Sequence, residues 1–144
     1  MKTGGDPYDL QRFVAAQDAG GTYRRATAEL RDGRKDSHWM WFVFPQIAGL
    51  GYSQASRTYA VSSLAEASAY LAHPVLGPRL TECAAILAGL RDRTAEQIFG
   101  EVDALKLRSS MTLFMRAAPG EPVFRQVLDR YFGGETDSAT ERRI

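Results

Sequence analysis

Six consecutive residues, Trp39-Met40-Trp41-Phe42-Val43-Phe44, leave no side of a helix or strand for water. Whatever conformation they take, they belong in the middle of a core. Periodicity does not separate a buried strand from a short buried helix. A strand needs a partner, and the other candidates, Tyr59 to Val61 and Val123 to Val127, sit in patterns that read as helices. The segment is therefore expected to be a short helix ending before Pro45, because the residue preceding a proline is pushed out of the helical region. A chain of 144 residues can enclose it. A domain of that length buries roughly 68–70% of the surface its unfolded chain exposes, with no need of a disulfide or metal staple. With Cys83 as the single cysteine, an intrachain disulfide is excluded.

The flanking sequence is punctuated as helices. Asp6-Pro7 with Asp9 reads as a helix start, followed by Leu10, Phe13, Val14 and Gln17 at helical spacing. Gly20-Gly21 stops this helix. Thr22 can cap a second one to about Asp32, with Tyr23, Ala26, Thr27 and Leu30 on one face and Gly33 as terminator. Gln46 to Tyr52 reads as a loop and about Ser53 to Val61 as a helix. Ser63-Leu64-Ala65-Glu66 fits a capping box, opening a helix through Ala72 that His73-Pro74 ends. A longer helix from Pro78 to about Leu90 has Leu80, Cys83, Ala84 and Leu87 at core spacing. Thr94 to Gln97 is a second capping box, heading a short helix closed by Gly100. Asp103 to Ala117 then places Leu105, Thr112, Leu113 and Arg116 on related faces. Pro122 opens a last helix that Gly133-Gly134 ends. The expected architecture is all-α: one compact domain of eight or nine short helices, packed orthogonally rather than up and down. Its core spans about 6–134, and the polar tail 135–144 is expected to fray.

Charge is distributed unevenly. Ser37 to Pro78 is 42 residues long and carries two formal charges, Arg57 and Glu66, whereas about a third of the remaining chain is charged. Both histidines and both tryptophans fall in this stretch. Apolar walls with a few placed polar groups are the material of a ligand pocket, and equally of a plain core. His38 is the candidate acid/base, against a structural histidine near a helix start. His73, before Pro74, reads as helix punctuation, and Glu66 as part of its capping box. Arg57 lacks an acidic partner at helix spacing, so it is either a surface residue or an anion anchor. Lys106, Ser109 and Ser110, with Arg108 and Thr112, form a second polar cluster that could hold a phosphate or carboxylate. Alternatively, the hydroxyls permit close helix packing while the cations face water. Asp103 and Lys106 form an i, i+3 pair.

Several function classes find no support. His38, His73 and Cys83 lack the short spacings of a zinc site, so no metal is expected. Cys83 lies among Leu80, Ala84 and Ala85, where burial raises a thiol pKa. No phosphate-binding glycine loop or dinucleotide fingerprint is present, and no cofactor is called for. The formal charge of +1 gives no field that would draw the chain to nucleic acid, and Arg24 to Lys35 reads as a solvated helix face. The apolar run is far short of the roughly 20 residues a membrane helix needs. Met1 to Asp9 has no apolar run of the signal type, so a cytoplasmic location is expected.

Four stretches together carry a family resemblance: Asp9-Leu10-Gln11-Arg12-Phe13; Ser37 to Gln46 with Gly49-Leu50-Gly51; Tyr70-Leu71 with His73 to Gly77; and Lys106 to Phe114. The chain resembles the bacterial domain-of-unknown-function family 1810 from about Asp9 to Gly134. The resemblance implies an all-helical single domain and no activity. Some members have carried the label calpastatin, but inhibitors of that type are long, polar and disordered, unlike a chain with this apolar content and these caps.

The leading expectation is a pocket walled by residues 38–46 that binds a small polar or anionic ligand through His38, Gln46, Arg57, Lys106, Ser109 and Ser110. If the protein is an enzyme, His38 would move the proton and Arg57 would anchor the anion. The other expectation is a non-catalytic interaction or oligomerisation module, meeting a protein partner or a second copy through Ile47, Leu50 and Tyr52.

Overall fold

The computed structural model describes residues 5–144, so the first four residues of the expected domain, and of the segment read for a signal, lie outside the described part. The elements are α1 (Gln11–Asp18), α2 (Thr22–Arg31), α3 (Met40–Val43), α4 (Gln54–Thr58), α5 (Leu64–Ala72), α6 (Leu76–Gly89), α7 (Ala95–Ala117), α8 (Pro122–Phe132) and α9 (Ser138–Glu141), with a 3-10 turn at Ala19–Gly21. The fold is all-α, as expected.

The aromatic segment is a single helical turn set into the core. Trp39, Met40, Val43 and Phe44 are buried, and Trp41 and Phe42 half-buried. Trp39, Phe44 and Phe99 form a ring cluster with centroids 6.2–6.4 Å apart. A second aromatic line runs from Phe42 through Tyr59, Phe13, Tyr70 and Phe114 to Phe124. A helix this short leaves carbonyls without intrahelical partners, and Gln17 supplies one. Its Nε2 donates to Phe42 O (2.8 Å), while its Oε1 accepts from Arg79 (3.2 Å). The buried Gln17 side chain thus ties α1, α3 and α6 together.

Entry into the segment is held by Glu29. Its carboxylate accepts from the backbone N–H of Asp36 (2.8 Å) and Ser37 (3.0 Å), from the Ser37 hydroxyl, and from the Trp39 indole (2.9 Å). Burial pushes this carboxyl up, but the bonds from Ser37, Asp36 and Trp39 outweigh it and bring the pKa down to about 2.

Several local expectations are corrected. Asp6 does cap, accepting from Leu10 N (2.6 Å) and Gln11 N (2.9 Å), but across an intervening turn, so α1 begins at Gln11. Gly21, not Thr22, is the N-cap of α2. The helix expected to reach Val61 ends at Thr58. Val61 is instead extended and paired in parallel with Ile47, its N–H donating to Gln46 O and its carbonyl accepting from Ala48 N, both at 2.8 Å. Ser63 caps α5, but Glu66 does not close a capping box. Its Oε1 accepts from the amide and hydroxyl of Ser62 (2.9 and 2.8 Å), and its Oε2 pairs with Arg12 (2.9 Å). Arg12 in turn donates to the carbonyls of Tyr8, Asp9, Thr58 and Ala60. The second capping box is formed by Thr94 and Gln97, and α7 breaks at Gly100 (φ +82°, ψ 168°).

The last ten residues pack against the body of the fold. Thr140 is fully buried, and Arg116 pairs with Glu141 through two bonds of 2.9 and 2.6 Å. Arg108 holds Glu135 and Thr136 O, and Arg143 donates to Gly49 O (3.0 Å). Two cations of α7, Arg108 and Arg116, and the acidic residues Glu135 and Glu141 of the tail account for a docking that polarity alone does not suggest.

Candidate functional site

The break at Gly100 redirects α7, so that its next turns run past the Gln46–Gly51 loop. The C-terminal segment closes the third side. Between them lies a cleft of about 250 Å³ lined by Gln46, Leu50, Gly51, Ser56, Val102, Leu105, Lys106, Ser109, Asp137 and Ala139. Three of the expected ligand residues, Gln46, Lys106 and Ser109, therefore share one cleft although 60 positions separate the first two.

The other three lie elsewhere. His38 is exposed and makes no hydrogen bond among the described residues, so nothing orients its ring. Arg57 is exposed on α4, next to Ser56 but outside the lining. Ser110 is fully buried, with its hydroxyl lacking a partner. Of residues 38–46, Gln46 alone lines the cleft; the aromatic side chains mostly pack into the core. Leu50, Val102, Leu105 and Ala139 form the walls in their place.

The polar groups of the cleft are organised on two sides. Lys106 Nζ sits 4.9 Å from the Trp41 ring centroid and 3.4 Å from Asp103 Oδ1. Asp103 is more tightly engaged by Lys35, whose Nζ lies 2.9 Å from Oδ2 and over the ring of Trp39. One carboxylate thus serves two ammonium groups, leaving Lys106 with donors to spare. The Gln46 side chain makes no hydrogen bond among the described residues.

On the other side, Asp137 Oδ2 accepts from Thr140 N (2.9 Å) and from the Thr140 hydroxyl (2.7 Å). Thr140 Oγ1 is 2.7 Å from Ser109 Oγ. Because the Thr140 hydrogen goes to Asp137, Ser109 donates to Thr140 and keeps only acceptor capacity. Asp137 Oδ1 has no partner among the described residues.

The rim carries exposed apolar side chains: Val102 and Leu105 are 68% and 62% exposed, and Tyr52, which follows the lining residue Gly51 in the chain, is 86% exposed. Of the four residues expected on related faces of this helix, Thr112 and Leu113 are buried, whereas Leu105 and Arg116 are exposed, Leu105 on this rim. Ile47, expected on an exposed face, is buried beneath it.

A larger depression of about 460 Å³ lies beside Asp6, Tyr8, Gln11 and His73. Its best polar groups have structural duties: Asp6 caps α1, and His73 Nδ1 accepts from Val75 N (3.1 Å) and Leu76 N (3.3 Å) at the start of α6. Cys83 is buried, and desolvation pushes its thiol up to about 12. Among the described residues, no three His, Cys, Asp or Glu side chains are placed to hold a metal, and no helix is long and apolar enough to cross a membrane.

Residues 7–144 match the family described as protein of unknown function (DUF1810). The chain is similar to the conserved hypothetical protein Rv1873 from Mycobacterium tuberculosis. That crystal structure is 52% identical, covers 95% of this chain and 96% of its own, and superposes with a TM-score of 0.92. No curated protein matches.

Proposed function

Because the chain belongs to the DUF1810 family, whose description assigns no activity, we propose from its own residues that it binds a small polar ligand in the cleft between the Gln46–Gly51 loop, α7 and the C-terminal segment. What carries the reading is convergence: Gln46, Lys106, Ser109 and Asp137 come from three separate parts of the chain, and each brings unused hydrogen-bonding capacity to one small cavity. Buried and half-buried polar groups are normally satisfied within the protein, so a cluster with capacity to spare is the mark of a site. The proposal leaves His38, Arg57 and Ser110 out of the ligand set and concerns binding alone.

The test is a thermal-shift screen of phosphate, nucleotides, sugar phosphates, amino acids and divalent metals against the parent, Lys106→Gln and Gln46→Ala. A ligand at about a hundred times its dissociation constant stabilises by roughly 2.7 kcal/mol. The expected result is one class that stabilises the parent and neither variant. Equal stabilisation of all three proteins, or of none, counts against the cleft.

A second reading, contact with a second copy of the chain, is favoured by the exposed apolar side chains of Val102 and Leu105 on the cleft and of Tyr52 next to its lining residue Gly51, since exposed apolar side chains mark interaction surfaces. Light scattering over a range of concentrations tests it. A strict monomer at every concentration removes it.

A further inference from the structure

We infer that the cleft is built for a zwitterion, a free α-amino acid with a small or medium apolar side chain. This inference rests on the cleft being a ligand site and adds the chemistry of what fills it.

On one side stands a group that only donates, Lys106 Nζ, which shares Asp103 with the closer Lys35, beside the unpaired Gln46 amide, whose NH2 can donate in the same direction. On the other side the free groups accept. The Thr140 hydroxyl is fully buried and committed to Asp137, which fixes the Ser109 hydrogen on Thr140 and leaves the Ser109 oxygen and Asp137 Oδ1 as acceptors. A plain anion such as phosphate would be met by Lys106 but opposed by the Asp137 carboxylate. A plain cation would meet the reverse conflict. A ligand with a carboxylate at one end and an ammonium at the other satisfies both sides at once.

The remaining lining limits the rest of the ligand. Leu50, Val102, Leu105 and Ala139 offer an apolar surface and no further charge. A cleft of about 250 Å³ matches a group the size of one amino acid.

The test compares leucine with 4-methylpentanoate, which lacks the ammonium, and with 3-methylbutylamine, which lacks the carboxylate. Binding is followed by calorimetry and by the amide resonances of Gln46, Ser109 and Ala139. Leucine is expected to bind at least about tenfold more tightly than either analogue, the size of one lost charged hydrogen bond. Two conservative variants then separate the ends. Lys106→Gln is expected to bring leucine down to the level of 3-methylbutylamine, and Asp137→Asn to bring it down to 4-methylpentanoate. The Asn oxygen can still accept from Thr140 N, so α9 stays capped; unchanged Thr140 and Glu141 amide resonances verify this.

Binding of 4-methylpentanoate as tight as leucine overturns the zwitterion and leaves an anion site. Failure of leucine to move the cleft resonances overturns it too. In that case, a ligand from the wider screen that stabilises only the parent preserves the cleft as a site, whereas no such ligand removes both readings.

Discussion

A carboxylate that collects four donors has a signature in acid. Glu29 titrates near 2 in the folded protein against an ordinary value of 4.5, so its ionised form is favoured by folding. Its stabilising contribution is complete above about pH 4.5 and is lost as the pH falls towards 2. Glu29→Gln is expected to lower stability at neutral pH by about 1–3 kcal/mol, with the gap from the parent closing between those values; urea unfolding at a series of pH values measures it. Arg12 makes the complementary case, a cation wrapped by four carbonyls and the buried Glu66. Glu66→Ala leaves that guanidinium unpaired and is expected to cost about 3–5 kcal/mol, with Arg12→Lys a poor substitute because an ammonium cannot reproduce the planar fork. Neither role was legible in the sequence. Glu29 sits on a charged helix face that reads as solvated, and Glu66 stands three residues after a serine, where a capping box explains it without reference to Arg12, 54 positions away. By contrast, the inertness of Cys83 could be read from its neighbours alone. Its thiol is expected to resist a thiol reagent in the native protein and to react on unfolding.

At the level of elements, starts and stops were legible where they rest on local chemistry. The Thr94–Gln97 box, the stop after Ala72, the cap by Ser63 and the end of α8 at Gly133 all depend on residues within a few positions of each other. The helix expected through Val61 failed for the opposite reason: Val61 is claimed by Ile47, across a loop that the local pattern does not see. Gly100 shows how one residue sets the course of an element. Its φ of +82° with ψ of 168° lies in a region essentially restricted to glycine, and a Cβ there would meet nothing within 4 Å. Gly100→Ala should therefore cost about 1–3 kcal/mol from backbone strain alone, visible as a lower denaturation midpoint. Gly77 is constrained by contact instead. A Cβ at that position would lie 2.0 Å from Leu71 O, so any side chain forces α6 away from the end of α5.

The fold class of the whole molecule followed from punctuation and from the need to bury residues 39–44. The site followed only in part. Gln46, Lys106 and Ser109 drew attention as polar residues in unusual settings, but their meeting depends on the break in α7 and on a tail that sequence polarity presents as loose. Asp137, the acid of the cleft, belongs to that tail and was missed with it. Removing residues 135–144 is therefore expected to cost more than the cleft wall: it strips Arg108 and Arg116 of their partners and uncovers Ser109, lowering the melting temperature and abolishing ligand binding together. The stacking of Lys106 on Trp41 carries a consequence for watching these events. The molecule holds two indoles in unlike places, Trp39 sealed among Phe44 and Phe99, and Trp41 half-open under the ammonium that borders the cleft. A carboxylate that draws the ammonium off that ring alters the emission of Trp41 and leaves Trp39 dark to the change. With Trp41→Phe, the same spectrum reports folding alone, so the protein carries separate built-in optical gauges for occupancy and for integrity.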